Sequence, residues 1–377
     1  MNPIDVRIHG SGIVSRALGL ALARQGVAVA LDARPAAGGP ASPDVRAYAL
    51  NAASVALLAS LKVWDGLPAD ARTPVYDMQI AGDEGGALGF SAWQQSVGAL
   101  AWIVDAAELE QVLETAARFA PSLQLLPAED ASRTLPGAAP ALTVIAEGKA
   151  SAQREQRGLR FERHAYGHRA VAARLVSDVA HAGVARQWFQ SPGVLALLPF
   201  DRPAAARSYG LVWSLPEARA EALMAAPVAE FEAALNAETQ GAAGRLTLAS
   251  ERAAWPLMQA RAQQVTGPGW VLVGDAAHVM HPLAGQGLNL GLADVAALAD
   301  VLATRERWRP LGDPALLARY ARRRLLPVRA MAGVVDGLWQ LFSTDHPAAK
   351  ELRNRGMSLV NQVGPLKRFL VSRALDG

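Results

Sequence analysis

Residues 3–34 read "PIDVRIHGSGIVSRALGLALARQGVAVALDAR", and no other stretch constrains the fold as tightly. Ile4, Val6 and Ile8 alternate as a short strand, and Gly10 and Gly12 open a turn. An alanine- and leucine-rich helix then runs to about Gly26, and "VAVALD" forms a second strand closed by Asp32. Strand, glycine turn, helix, strand and acid in this order make the unit of a doubly wound α/β domain that binds a dinucleotide. The glycines let the backbone approach phosphate oxygens, and the helix N-terminus offers free N–H groups and partial positive charge. Asp32 is placed to accept hydrogen bonds from ribose hydroxyls. Taken alone, the same pattern fits a plain tight turn between strand and helix, and Ser15 stands where a third glycine usually falls.

Downstream, Val55, Leu58, Leu61 and Trp64 have helical spacing. "PVYDMQIAGDEGGALGFSA" reads as two strands around a Gly-rich hairpin, "DAAELEQVLETAARFA" as a helix, and "LTVIAEGKASAQR" as a strand followed by a glycine turn. Between Tyr166 and Leu257 the pattern is mostly strands ("RAVAARLVS", "GVARQWFQ", "GVLALLPF", "SYGLVWSLP"), interrupted by one helix, "VAEFEAALNAE". After a buried strand at "WVLVGDAAH" the chain finishes helical to Gly377. Strand-rich material is thus inserted between pieces of a dinucleotide domain, which predicts two interleaved domains with a ligand cleft between them.

Composition narrows the chemistry. The 377 residues hold no cysteine, so thiolate metal sites, disulfides, a thiol nucleophile and a redox dithiol are all excluded, and any redox chemistry belongs to a cofactor. The net charge of +3 is too small to argue for nucleic acid. Apolar runs are broken by charges before the roughly 18–20 residues of a membrane span, and no signal peptide is legible, so the cytoplasm is the expected compartment.

The stretch "WVLVGDAAHVMHPLAGQGLNLGLADVAALADVL", Trp270 to Leu302, brings Asp275, His278 and His281 together at i, i+3 and i+6. A metal site would need them on one face, but Gly274 ends a strand before them and Pro282 interrupts a helix after them, so no metal is expected. A cofactor loop uses more of the residues: Asp275 lies at the carboxyl end of a strand, and the Gly285-Gln286-Gly287 loop leads backbone N–H groups into a helix starting near Leu288.

With these segments identified, the chain resembles the class A flavoprotein monooxygenases, most closely the ubiquinone-biosynthesis hydroxylase branch. The resemblance rests on G-D-A-A-H-x-x-x-P-x-x-G-Q-G-x-N at Gly274 to Asn289, on D-x-R-x-x-A-L at Asp44 to Leu50, and on "AEGKASAQR" at Ala146 to Arg154, where Glu147 replaces the family's Asp. It extends to the C-terminal "YARRRLLPVRAM" and "DGLWQLFSTDHP". It implies FAD as cofactor, held by Gly10, Gly12, Ser15, Asp32, Arg34, Arg46, Asp275, Pro282, Gly285, Gln286, Gly287, Leu288 and Asn289. Ala107 stands where family members often carry a basic or amide residue. The implied fold class is α/β: a Rossmann-like FAD-binding domain (1–73, 101–157, 265–330) interleaved with a smaller β-sheet substrate domain (74–100, 158–264), and a helical C-terminus (331–377).

The implied activity is hydroxylation of the aromatic ring of a polyprenylated phenol or quinone precursor through a flavin C4a-hydroperoxide, with O2 and with NADPH as transient reductant. No catalytic side chain is required, because the chemistry is borne by the flavin. Leu197, Pro199, Trp213 and His281 are candidate pocket walls, although an ordinary core accounts for the strand residues equally well. The basic, apolar C-terminal segment "GPLKRFLVSRAL" suits peripheral contact with an anionic inner-membrane face, and a biosynthetic complex is a further candidate partner. Two other readings stand: a catalytically silent family member acting as an assembly or lipid-presenting subunit, and a flavin oxidoreductase of a soluble aromatic compound.

Overall fold

The computed structural model describes residues 3–33, 44–82, 86–127, 139–280 and 286–343. Arg34, His281, Pro282, Gly285 and the stretch 344–377 lie outside the described residues.

A six-stranded sheet carries the N-terminal unit. Its strands are β1 (Val6–His9), β2 (Val29–Asp32), β8 (Leu123–Leu126), β9 (Leu142–Ile145), β16 (Thr266–Gly267) and β17 (Trp270–Leu272), in the order β16-β17-β9-β1-β2-β8. All neighbours are parallel except β16 and β17. Helices cover this sheet, so its strands read as continuous apolar runs; Val6, Ile8, Val29 and Leu31 are all buried. Helix α1 (Ile13–Ala23) packs between α3 (Ala106–Arg118) and α7 (Gln286–Ala303), and so buries nearly its whole surface. Helix α3 buries only Leu109, Leu113 and Ala117 on one stripe besides Ala106, and Asp105 caps it by accepting from the amides of Ala107 (2.9 Å) and Glu108 (3.2 Å). Helix α2 (Ala52–Ser60) is capped by Asn51 in the same way.

A small antiparallel sheet of β3 (Ala47–Leu50), β7 (Ala101–Asp105) and β4 (Arg72–Val75) lies between the first sheet and the last. The last has nine strands: β5 (Asp77–Gly82), β6 (Ala87–Ser91), β10 (Phe161–Ser177), β11 (Val184–Gln190), β12 (Gly193–Phe200), β13 (Ser208–Pro216), β14 (Leu246–Leu248), β15 (Ala253–Ala262) and β18 (His278–Val279). The predicted hairpin forms as β5 and β6. Two helices, α5 (Glu217–Ala225) and α6 (Val228–Thr239), interrupt these strands rather than the single one expected from the sequence. The sequence of α5, "EARAEALMA", buries only Ala220, so it carries no apolar stripe to read.

The short α4 (Ala152–Gln156) precedes β10. The 30-residue α8 (Pro314–Ser343) runs without a break across position 331 and contains Pro327. The result is an α/β architecture in which a Rossmann-like parallel sheet and a largely antiparallel second sheet alternate along the chain. Among the described residues no helix is long and apolar enough to cross a membrane.

Candidate cofactor site

A cleft of about 650 Å³ opens at the carboxyl ends of β1, β9 and β17, and the three sequence motifs meet in it. From the N-terminal unit come Gly10, Gly12, Ser15 and Asp32; from β3 and the residue before it, Tyr48 and Arg46; from the turn after β9, Glu147 and Gly148. The turn after β17 adds Gly274 and Asp275, and the first turn of α7 adds Gly287 and Leu288.

Gly10 has φ +123°, and a Cβ there would lie 2.3 Å from the Ala146 carbonyl oxygen. The backbone of β1 is therefore pressed against the end of β9 in a way only glycine permits. Ser15 reinforces the same contact, its hydroxyl donating to Ala146 O at 3.1 Å. Helix α1 begins at Gly12 with no side-chain cap and no acidic residue in its first turn, so its N-terminal amides and dipole face the cleft uncompensated. Asp32 is already engaged: Arg7 Nη2 donates to Oδ1 at 2.7 Å, the amide of Gly10 lies 3.4 Å from Oδ2, and His9 Nδ1 is 3.5 Å from that oxygen.

On the β3 side, Asp44 holds Arg46 through paired bonds from Nε and Nη2, and Glu110 of α3 lies 3.5 Å from the same guanidinium. Burial pushes the Asp44 carboxyl up, but the Arg46 bonds outweigh it and leave it below its usual value. The guanidinium lies 5.7 Å from the Tyr48 ring centroid, and desolvation pushes the Tyr48 hydroxyl up to about 12.

The Asp275 turn is built from several directions. Arg154, fully buried, donates from Nη1 to Ala276 O (3.0 Å) and from Nη2 to Lys149 O (2.9 Å), and its guanidinium stacks 3.6 Å over Phe161. It joins the turn after β9 to the turn after β17. Glu147 fits without strain: Oε2 accepts from Ser151 Oγ (2.7 Å) and from the Gln153 amide (2.8 Å), helping to cap α4. Asp275 is open to the cleft yet ringed by protein, and that desolvation raises its carboxyl above the usual range, against the lowering influence of His278 and Lys149.

The His278 ring is taken by Asp294 of α7, at 2.8 Å. Asn289 does not line the cleft. Its Oδ1 accepts from the Asn51 amide (3.0 Å) and Ser54 Oγ (2.7 Å) while Nδ2 donates to Ala49 O (2.8 Å), so it fixes the β3–α2 junction to α7. Gln286 begins α7.

The strand residues expected as pocket walls are placed elsewhere. Leu197 and Trp213 point into the core beneath α5 and α6, with Trp213 edge-on to Phe231 at 6.3 Å. Pro199 is two residues along from Leu197 on the same strand and is buried. The opposite face carries Leu198 and Phe200 against Ala47, Ala49 and Ile103 of the small sheet. Residues that the sequence did not single out include Tyr48, Glu110, Arg7 and Asp294. Only Tyr48 had a signal, its position inside the D-x-R-x-x-A-L segment.

The cleft fits a dinucleotide: an uncapped helix N-terminus, a glycine cradle that a Cβ would fill, and a carboxylate, an arginine and a tyrosine along the remaining wall. The comparisons agree. The FAD binding domain family matches residues 3–334. A ubiquinone hydroxylase of Rhodospirillum rubrum is 33% identical over 389 residues, covering 98% of this chain and 89% of that protein. The 3-demethoxyubiquinol 3-hydroxylase of Escherichia coli is 32% identical over 402 residues, covering 99% and 98%. Among solved structures, Pseudomonas aeruginosa PqsL in complex with 2-aminobenzoylacetate has a TM-score of 0.77 at 22% identity, covering 95% of this chain and 100% of that one. Klebsiella pneumoniae HpxO complexed with FAD and uric acid has a TM-score of 0.72 at 18% identity, covering 99% and 97%. This chain belongs to the FAD binding domain family, as a class A FAD-dependent monooxygenase of the ubiquinone-biosynthesis branch.

Proposed function

We propose that this protein hydroxylates the aromatic ring of a polyprenylated phenol or quinone precursor, with NADPH as a transient reductant. The balance is ring C–H + O2 + NADPH + H⁺ giving ring C–OH + H2O + NADP⁺. The observation that carries the reading is the convergence of three separate motifs on one cleft shaped for a dinucleotide. FAD, when bound, supplies electron storage and oxygen activation, and the protein supplies position and dryness.

In this reading the Gly10–Gly12 turn and the α1 N-terminus would hold the pyrophosphate, and Asp32, paired with Arg7, would face the ribose. Asp275 holds the polyol chain, while Gly287 and Leu288 set the first turn of α7 beside the ring system. Arg46, clamped by Asp44, lines the opposite wall. Pro282, Gly285 and Arg34 complete the set by resemblance. A silent, lipid-presenting role gains nothing from Ser15 and Glu147, since each departure from the family pattern is absorbed by hydrogen bonds.

The prenyl chain and a lipid-facing surface go together. On α8, Leu326 is 74% and Val334 57% exposed, beside exposed Arg322 and Arg329, a mixture suited to an anionic membrane surface. Gel filtration followed by a visible spectrum tests the cofactor, and NADPH consumption with prenylated and unprenylated phenols tests the substrate. Retained flavin bands and turnover that rises with the prenyl chain are expected. A colourless protein that ignores added FAD would sink the hydroxylase reading, and turnover indifferent to the chain would point to a soluble aromatic substrate.

A further inference from the structure

Asp294 has no exposed surface, yet it draws together three segments besides its own helix. Its Oδ2 accepts from the Gly274 amide at 2.9 Å and lies 2.8 Å from His278 Nε2; its Oδ1 accepts from Arg324 Nε of α8 at 2.6 Å. Arg324 also donates to Leu290 O of α7 at 3.2 Å. Burying a carboxylate is costly unless cations and amides surround it, and here they do.

What Asp294 fixes is the turn that carries Asp275 into the cleft. Gly274, immediately before Asp275, is left-handed at φ +60°, and a Cβ there would press on Val14 of α1 at 3.3 Å. Gly291, one turn before Asp294, lets α7 approach that same turn: a Cβ on it would lie 2.7 Å from Val14 and 3.6 Å from the Gly274 Cα. Among the described residues helix α8 contributes none to the cleft lining, so Arg324 acts there through α7, by its bonds to Asp294 and to Leu290 O.

We propose that Asp294 is a positioning residue for the cofactor turn, and that through Arg324 the retention of FAD depends on the docking of α8. This rests on the reading that the cleft holds FAD.

His278 supplies a signed readout. It is faced by Asp294 of α7, Arg324 of α8 and Asp275 of the turn. On its other side a cavity of about 280 Å³ is lined by Glu162, Arg163 and His164 of β10, Arg261 of β15 and Arg329 of α8. Burial pushes His278 down, Asp294 more than offsets it, and the net direction is up. A raised histidine contributes fold stability that is fully present below its free value of about 6.5 and is lost as pH rises through the raised value. Arg324 opposes the imidazolium charge, so removing it moves that alkaline limb to higher pH.

The experiment titrates full-length apoprotein with FAD, following flavin fluorescence, and measures the melting temperature of the apoprotein across the neutral to alkaline range. It uses wild type, Arg324→Gln, Arg324→Lys, Asp294→Asn and, as control, Arg323→Gln, an exposed neighbour paired with Asp300. Arg324→Gln and Asp294→Asn should bind FAD roughly tenfold more weakly, with the alkaline limb of the melting-temperature profile of Arg324→Gln displaced upward, while Arg323→Gln matches wild type in both. Arg324→Lys, which keeps the charge and loses the Nε bond, should fall between, and it carries the test if the Gln variant does not fold. Wild-type affinity and an unmoved limb in the Arg324 and Asp294 variants would overturn the proposal. Wild-type protein that takes up no FAD would instead sink the reading of the cleft, and this proposal with it.

Discussion

A methyl group at position 10 would sit 2.3 Å from a backbone oxygen and 2.8 Å from Ser15 Oγ, on a residue already at φ +123°. Neither β1 nor β9 can retreat, because both are paired on each side within the sheet. Gly10→Ala is expected to cost about 2–4 kcal/mol, from overpacking plus backbone strain, and to abolish FAD retention. Ser15→Ala removes only the bond to Ala146 O, so its expected cost is about 1 kcal/mol with FAD retained. Urea unfolding of the two variants separates the cases: equal midpoints would mean that close backbone approach is not what fixes this turn. Ser15 is thus a stitch between α1 and β9 at a place where the family pattern leaves only room.

Single elements carry the site because each ends at the same edge of the parallel sheet, and the turns there are cross-linked. Arg154 is the clearest link: its two bonds and its stacking on Phe161 hold the turns after β9 and β17 together. Arg154→Met keeps the length and loses the fork, and should cost about 2–3 kcal/mol and most of the FAD affinity, whereas Arg154→Lys should recover charge without the geometry. Thermal melts and flavin titration check both; a Met variant with wild-type affinity would remove Arg154 from the positioning scheme. The turns themselves were legible in the sequence, since Gly10, Gly12, Arg46 and Asp275 sit in fixed spacings next to recognisable strands. Asp294 and Arg7 were not, because one charged residue in an apolar helix or strand looks the same whether it faces water or a buried partner. Leu197 and Trp213 were misleading for a related reason: both faces of β12 and β13 are apolar, and alternation then gives no sign of which face the helices cover.

For the molecule as a whole, the question is what holds the nine-stranded sheet against the domain that carries the cleft. Part of the answer is apolar, with Phe200, Ala185 and Leu198 packing on Val75, Ile103, Ala47 and Ala49. A buried polar part is Arg174 of β10, whose Nη2 donates to Arg46 O at 2.7 Å and to Asp105 Oδ2 at 3.2 Å, with the guanidinium 4.1 Å over Phe200; Arg202, just after β12, adds a bond to Glu108 of α3 at 2.7 Å. Its Nη1 is buried without a hydrogen-bond partner among the described residues. Burial pushes Arg174 below its ordinary value, and Asp105 works in the opposite direction. Because Arg46 lines the cleft and Asp105 caps α3, Arg174 ties the second sheet to both the cofactor wall and the helix beside it. Arg174→Met fills the same space but leaves Asp105 Oδ2 without its cation and the Arg46 carbonyl with only the Ala106 amide, which should cost about 3 kcal/mol. It should also speed hydrogen exchange at the amides of β3 more than at those of β1. Uniform protection across both strands, with an unchanged melting temperature, would show that Arg174 does not tie the two halves together.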